Sequence, residues 1–447
     1  MYVSHQNRLL HRGERFTNQV PSGRRLRVAL YSHDTMGLGH TRRNLLIAQS
    51  LVHSMLPVDV LLIRGAIEGA PPILPPSIDC LVLPALRKGS DGQYEARRLD
   101  VSLQELIGLR SLTIQAALMA YRPDMVVVDN VPRGAVGELD LVLASLRSRQ
   151  QTHCVLGLRD ILDHPDVVRR EWAAAKNEEA IRAYYDSIWV YGDPAVYDTA
   201  REYGFDRDIA ERIEYVGYLD QRARLSYSDE PDLLPGLGLP PERLLLCLVG
   251  GGQDGNELAE AFSQAELPRG CNGVIVTGPL MDPAVQARLH MAAAQNPRLR
   301  VLTYVAEPTR LIAQADRVVA MGGYNTVAEL LSFERHSLIV PRVRPRREQL
   351  IRAERLADLG LVDLLHPDQL SPAALSEWLA RPHHQPTRVH GRINTTGLNR
   401  ISQLVHGLAV ANPAVARLQE ELIACNTRST MTSKTGLTGI AGVLATS

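Results

Sequence analysis

From Leu26 onward, short apolar runs of strand length alternate with longer amphipathic stretches. In the first half the runs are RVALYS, VDVLLIRG, IDCLVLPAL, DMVVVDN, THCVLGLRD and SIWVYG. Such continuous apolar runs suit strands buried on both faces, which predicts a parallel sheet flanked by helices. The rhythm breaks in IEYVGYLDQRARLSYSDEPDLLPGLGLPPERL, a segment rich in charge, Pro and Gly. It restarts with LLLCLVGGG, GVIVTG, RLRVLTYV, ADRVVAMGG and HSLIVPR. The pattern therefore predicts an α/β protein with two doubly wound, Rossmann-like domains facing a central cleft. We place a flexible arm at residues 1–25, the first domain at 26–215 and a linker at 216–240. The second domain follows at 241–405, then a C-terminal helix at 406–425 and a mobile, Thr-, Ser- and Gly-rich tail at 426–447.

Composition narrows the function classes. A chain of 447 residues exceeds one ordinary core, in keeping with two domains. Lys+Arg and Asp+Glu both number 49, so no global field draws the chain to nucleic acid or an anionic membrane, and any anion must be bound locally. The five cysteines stand too far apart for a zinc site or a small disulfide framework. No apolar run approaches the ~18 residues that span a bilayer, and the opening MYVSHQNRLLHRGERF lacks the apolar stretch of a secretion signal. We expect a cytoplasmic protein without a transmembrane segment.

The first candidate chemistry lies in YSHDTMGLGHTRRNLLIAQSL, a strand end, a glycine turn and a helix. Gly37 and Gly39 permit close backbone approach, and the free N–H groups of the helix start favour an electron-rich group. They also favour a neutral His40, able to accept a proton. The competing reading is a tight turn carrying an exposed histidine. Asp129 ends the strand DMVVV at the same sheet edge and is placed to orient His40; Asp34 and Asp160 are rival carboxylates at comparable strand ends. A dinucleotide-binding reading fails on the fingerprint. Arg42 replaces the third glycine, and VDVLLIRG ends in Arg64 rather than an acid for the ribose.

In the second half, LVGGGQDGNELAEAF sets Gly250, Gly251, Gly252 and Gln253 between a strand and a helix, where a phosphate or close packing would call for glycine. The stretch ADRVVAMGGYNTVAELL places Gly322 and Gly323 after a strand, with Asn325 and Thr326 opening a helix whose first amides can hold pyrophosphate oxygens. Glu329, one turn further, suits the hydroxyls of a ribose. Its spacing from Thr326 equally fits a capping box with no ligand role. Arg342, Arg344, Arg346 and Arg347 form a basic loop, read either as phosphate-neutralising or as solvated, and Glu348 and Gln349 after it suit sugar hydroxyls.

These motifs together resemble the B-type glycosyltransferases, particularly the bacterial group around the N-acetylglucosaminyltransferase of peptidoglycan lipid synthesis. The resemblance covers residues 26–405 and is strongest in GLGHTRRNLLIAQSL and MGGYNTVAELLSFERHSLIVPRVRPRREQL. It implies that the turn with Gly37 and Gly39 approaches the acceptor, and that His40 is the base with Asp129 as its partner. It further implies that GGGQ and GGYNT hold the donor diphosphate, Glu329 the ribose, Glu348 and Gln349 the donor sugar, and the backbone at Val305 the nucleobase. The sequence departs from the family at Leu38, which interrupts the glycine turn, and in RVRPRR. The implied activity is transfer of a sugar from a nucleotide-diphosphate sugar to a hydroxyl or other nucleophile on a small-molecule or lipid-linked acceptor. Inversion is implied, with no metal and no cofactor beyond the co-substrate. Nucleotide-sugar 2-epimerases share the scaffold, and a non-catalytic nucleotide-sugar-binding protein would keep the same cleft.

Overall fold

The computed structural model describes residues 25–33, 39–65, 74–88, 93–228, 230–382 and 388–411. The chain divides into Arg27–Gln403 and a second unit made of its two ends, of which only Arg25, Leu26 and residues 404–411 are described. Residues 1–24 of the expected arm at 1–25, residues 412–425 of the expected C-terminal helix and the tail at 426–447 lie outside the described residues, as do Asp34 and Gly37.

Two sheets carry the larger unit. The first comprises β1 (Leu26–Ser32), β2 (Val58–Gly65), β3 (Ile78–Leu83), β6 (Met125–Asp129), β7 (His153–Arg159), β8 (Ser187–Tyr191) and β9 (Ile213–Tyr215) in the order β3-β2-β1-β6-β7-β8-β9. A small antiparallel hairpin, β4 (Leu86–Lys88) and β5 (Tyr94–Ala96), stands apart from it. The second sheet comprises β10 (Arg243–Leu248), β11 (Cys271–Val276), β12 (Leu299–Leu302), β13 (Ala315–Ala320), β14 (His336–Ile339) and β15 (Asp363–Leu364) in the order β12-β11-β10-β13-β14-β15. β1 pairs parallel with β6, and β10 with both β11 and β13. The apolar runs become the buried centres of these sheets: Val126, Val128, Leu156, Leu158 and Val190 in one, Leu245, Cys247, Ile275 and Val319 in the other. β9, β15 and the hairpin are not legible as apolar runs, because each is two or three residues long and partly exposed.

The topology places the site. In each sheet the chain moves outward on one side of its first strand, then returns to add strands on the other side. The loops that part at this reversal leave a crevice at the carboxyl edge of the strands. In the first sheet they follow β1 and β6, which end next to His33 and at Asp129; in the second they follow β10 and β13, which end at the Gly250 and Gly322 turns.

The C-terminal helix starts earlier than expected. It runs over Gly397–Ala411 and starts inside the segment read as the second domain. The Gly397 N–H donates to Tyr218 O at 3.0 Å and Arg400 Nε to Glu214 at 2.9 Å, so the chain returns to the end of the first sheet after completing the second. A side chain at Gly397 would press on Gly217 O at 2.6 Å, which explains the glycine.

Candidate functional site

The helix Gly39–Val52 follows β1 and buries Leu46, Ile47, Ala48 and Leu51 against the sheet. His40 and Arg43 lie on one face of it, because residues three apart on a helix are neighbours. That face meets the end of β6. His40 Nδ1 lies 2.6 Å from Asp129 Oδ2, and Arg43 Nη2 lies 2.7 Å from each Asp129 oxygen. Burial alone would raise the Asp129 carboxyl, but Arg43 and His40 outweigh it and hold the group well below the usual carboxylate range. Asp129 is thus an anion. Nδ1 is the ring nitrogen of His40 placed to donate to that anion, and in the neutral imidazole with that tautomer Nε2 is the nitrogen with the lone pair. His33, at the end of β1, faces the same imidazole with ring centroids 5.1 Å apart. Its burial and the nearby His40 push it down to about 3, so it stays neutral.

A cavity of about 330 Å³ opens between the two sheets, and His40 and Glu329 both line it. Its other walls include Gly39, Arg42, Arg43 and Arg159 from the first half, and Gly250, Gly251, Gly278, Val305, Gly323, Asn325 and Thr326 from the second. The glycines there have separate reasons. Gly278, at φ 79°, lies so close to the Gly250–Gly251 backbone that an added Cβ would meet Gly251 C at 2.4 Å, whereas a Cβ at Gly251 would meet nothing nearer than Leu280 at 3.8 Å. Gly251 therefore leaves the turn open to the cavity.

The helix Tyr324–Ser332 begins at Gly323, which has no side chain to cap it, and its first amides border the cavity. The capping box between Thr326 and Glu329 does not form. Instead Glu329 accepts from Arg224 Nη1 at 2.7 Å, and Arg224 also pairs with Glu307 at 3.1 Å. Arg224 comes from the short helix Ala223–Tyr227 in the linker segment. Burial pushes the Glu329 carboxyl up, and Arg224 and Arg42 only partly offset this. Asn325 spends its amide on the other half of the molecule, donating from Nδ2 to Gly39 O at 2.9 Å.

Other candidates fall elsewhere. Gly252, Gln253, Gly322, Glu348 and Gln349 are not among the cavity walls. Gly252, at φ 93°, packs where a Cβ would meet Thr277 O at 2.3 Å, Gln253 is exposed, and Gly322 sits against Gln349. Glu348 accepts from Arg342 Nη2 at 2.5 Å with its Oε2 unpartnered, while Gln349 Oε1 accepts from the Arg342 N–H at 3.1 Å. Two of the four arginines in the basic loop are spent on ion pairs, while Arg344 and Arg347 are exposed. Arg342 is engaged by Asp254 and Glu348, and Arg346 by Asp163 and Glu171 of the first half. Asp160, the rival base, is buried under Arg352 and Tyr218. Among the described residues no group of three His, Cys, Asp or Glu side chains converges as a metal site would require, and no helix is long and apolar enough to cross a membrane.

Two Rossmann-like domains with a cavity between their switch points define the fold of the B-type glycosyltransferases. The calicheamicin glycosyltransferase CalG4 has this fold at a TM-score of 0.51 and 17% identity, with 90% of this chain and 98% of that one covered. The UDP-GlcNAc 2-epimerase of Neisseria meningitidis, solved with UDP-GlcNAc, shares it at a TM-score of 0.56 and 10% identity, with 87% of this chain and 100% of that one covered. More particularly, residues 245–403 match the Glycosyltransferase family 28 C-terminal domain. Over 175 residues the chain is 31% identical to the UDP-N-acetylglucosamine–N-acetylmuramyl-(pentapeptide) pyrophosphoryl-undecaprenol N-acetylglucosamine transferase of Rubrobacter xylanophilus, covering 38% of this chain and 47% of that protein. The chain spans less than half the length of the curated relatives it matches. It resembles the B-type glycosyltransferases, and among them this transferase, as the GLGH and GGYNT motifs imply.

Proposed function

We propose that this protein is an inverting, metal-independent glycosyltransferase that moves a sugar from a nucleoside-diphosphate sugar to a hydroxyl-bearing acceptor. The observation that carries this reading is a single one. His40, held by the buried Asp129, lines the same cavity as Glu329 and the Gly250–Gly251 and Gly323–Thr326 turns. A base thus shares a cavity with a donor cradle.

In this reading the nucleobase lies by the Val305 backbone, the ribose hydroxyls donate to Glu329, and the diphosphate rests on the glycine turns and the first amides of the helix Tyr324–Ser332. His40 Nε2 takes the acceptor's hydroxyl proton as that oxygen bonds to the anomeric carbon. The bond from that carbon to the diphosphate breaks, and the diphosphate oxygen keeps the electron pair. Attack opposite the leaving group inverts the carbon. Asp129 stabilises the imidazolium formed on His40 without itself taking the proton. The relative's substrates make UDP-N-acetylglucosamine and an undecaprenol-linked acceptor the first pair to test.

Epimerisation at C2 is the second reading, drawn from the shared fold. Removing and returning a proton on opposite faces calls for two free acid-base groups. Among the described residues lining the cavity, the carboxylate of Glu329 is already held by Arg224. The separating experiment presents UDP-, dTDP-, GDP- and ADP-sugars with and without a bacterial lipid extract or soluble alcohols. Nucleoside diphosphate released only with acceptor supports transfer, conversion of the donor sugar alone supports epimerisation, and saturable binding without product supports a non-catalytic binding protein.

A further inference from the structure

The cavity walls carry four charged side chains besides His40, and three of them are spoken for. Arg43 is committed to Asp129, Glu329 to Arg224, and Arg42 reaches within 3.5 Å of the Val305 and Ala306 carbonyls. The fourth is Arg159, at the carboxyl end of β7. Its Nε is buried and has no hydrogen-bond partner among the described residues, and no ion pair forms at its guanidinium there. Burial, with Arg43 and Arg352 nearby, holds its pKa below the usual arginine range, and Glu348 and Asp129 offset this only in part.

A partly buried guanidinium whose inner N–H has no acceptor is costly and persists where a ligand supplies one. The facing wall says which ligand. Gly250, Gly251 and Gly278 leave backbone exposed there, and the helix Tyr324–Ser332 turns its positive N-terminal end to the same space. A second unpaired donor lies on that side, since the buried Tyr324 hydroxyl has no partner. Positive groups on two walls suit an anion with several acceptor oxygens.

We propose that Arg159 binds the terminal phosphate of the donor's nucleoside diphosphate, reaching it from the first sheet while the glycine turns and helix amides hold it from the second. The inference rests on the donor reading above and deepens it. When the bond between the anomeric carbon and the terminal phosphate oxygen breaks, the oxygen keeps the electron pair and the added charge develops beside the guanidinium. A cation supplied by one half for a ligand cradled by the other also makes the leaving group's stabilisation depend on both halves being in place.

The test is equilibrium binding to the full chain, wild type against Arg159→Gln and Arg159→Lys. The probes are UDP, dTDP, GDP and ADP, each with its parent nucleoside, and inorganic pyrophosphate. Arg159→Gln is expected to weaken the preferred nucleoside diphosphate by roughly 10- to 100-fold, the range of a charge-assisted hydrogen bond, while leaving the nucleoside unchanged. Arg159→Lys is expected to restore part of the loss. The ligand-free Arg159→Gln protein should melt no lower than wild type, because it loses a cation with no counter-charge. An unchanged ratio of diphosphate to nucleoside affinity overturns the assignment, and so does a marked drop in ligand-free melting temperature. Failure of wild type to bind any of these nucleoside diphosphates overturns the donor reading itself and the inference with it.

Discussion

Arg352 reaches from the helix Glu348–Asp358 to the end of β7, where its Nη2 lies 2.7 Å from Asp160 Oδ1 and its Nε 2.9 Å from Oδ2. Both side chains are buried, Tyr218 donates to the same carboxylate at 2.9 Å, and Arg352 also donates from Nη1 to Gly322 O at 2.8 Å. One guanidinium therefore ties the first sheet to the turn that precedes the helix Tyr324–Ser332. Removing one member of such a pair leaves the other charge buried alone, which costs about 3–5 kcal/mol. Asp160→Asn should accordingly lower unfolding stability by an amount in that range in a urea titration. A variant as stable as wild type would show that the pair does not hold the halves together.

Glu329 is expected to discriminate ribose from phosphate. Glu329→Gln keeps the shape of the side chain but loses the anionic acceptor, so affinity for the preferred nucleoside diphosphate should fall roughly 10- to 100-fold, in line with hydrogen bonds to charged groups. Pyrophosphate should bind as before. Because Arg224 keeps Glu307, the stability loss should be smaller than for Asp160→Asn. Equal losses for nucleotide and pyrophosphate, or none for either, would count against the ribose assignment.

The neutral, buried His33 makes the fold sensitive to acid. Its proton affinity is lower in the folded state, at about 3, than the usual value near ~6.5 of an unfolded chain. The unfolded state therefore binds more protons between these values, and the stability that depends on an uncharged His33 is full above ~6.5 and lost as pH falls toward 3. The slope from this one group reaches at most ~1.4 kcal/mol per pH unit. His33→Gln should flatten that part of a plot of unfolding free energy against pH. An identical slope in the variant would mean that other groups carry the acid sensitivity.

Metal independence follows if helix amides and arginine neutralise the diphosphate. Turnover should survive EDTA with little change. Loss of activity restored by magnesium or manganese would contradict this part of the account.

The parts of the site that a sequence reveals are those built from neighbouring residues. His40 at a helix start, Asp129 at a strand end, and Gly323, Asn325, Thr326 and Glu329 around a second helix start are all legible, because strand and helix signals are local. The charges that complete the site are not. Arg43 meets Asp129 across 86 positions of sequence, Arg224 meets Glu329 across 105, and Arg352 meets Asp160 across 192. No spacing rule predicts such partners. A weaker signal did exist for Arg43, a cation three residues beyond His40 whose helix face continues into the apolar Leu46 and Ile47. Arg159 offered another, since it ends an apolar run where a buried strand gives way to the sheet edge. The basic loop at 342–347 shows the reverse case, because four clustered arginines suggest a phosphate site while two of them, Arg342 and Arg346, are consumed by ion pairs that no local pattern announces.

The most direct test of the proposed transfer is His40→Ala, assayed by binding of the preferred nucleoside diphosphate and by release of that diphosphate from its sugar in the presence of acceptor. The alanine removes the base but none of the donor contacts, so affinity should stay within about twofold of wild type while turnover falls by roughly 10²- to 10⁴-fold, the usual contribution of a positioned acid-base group. Near-wild-type turnover by a variant that still binds donor and acceptor would contradict the account, and would leave His40 as a residue of the helix start with no part in the chemistry.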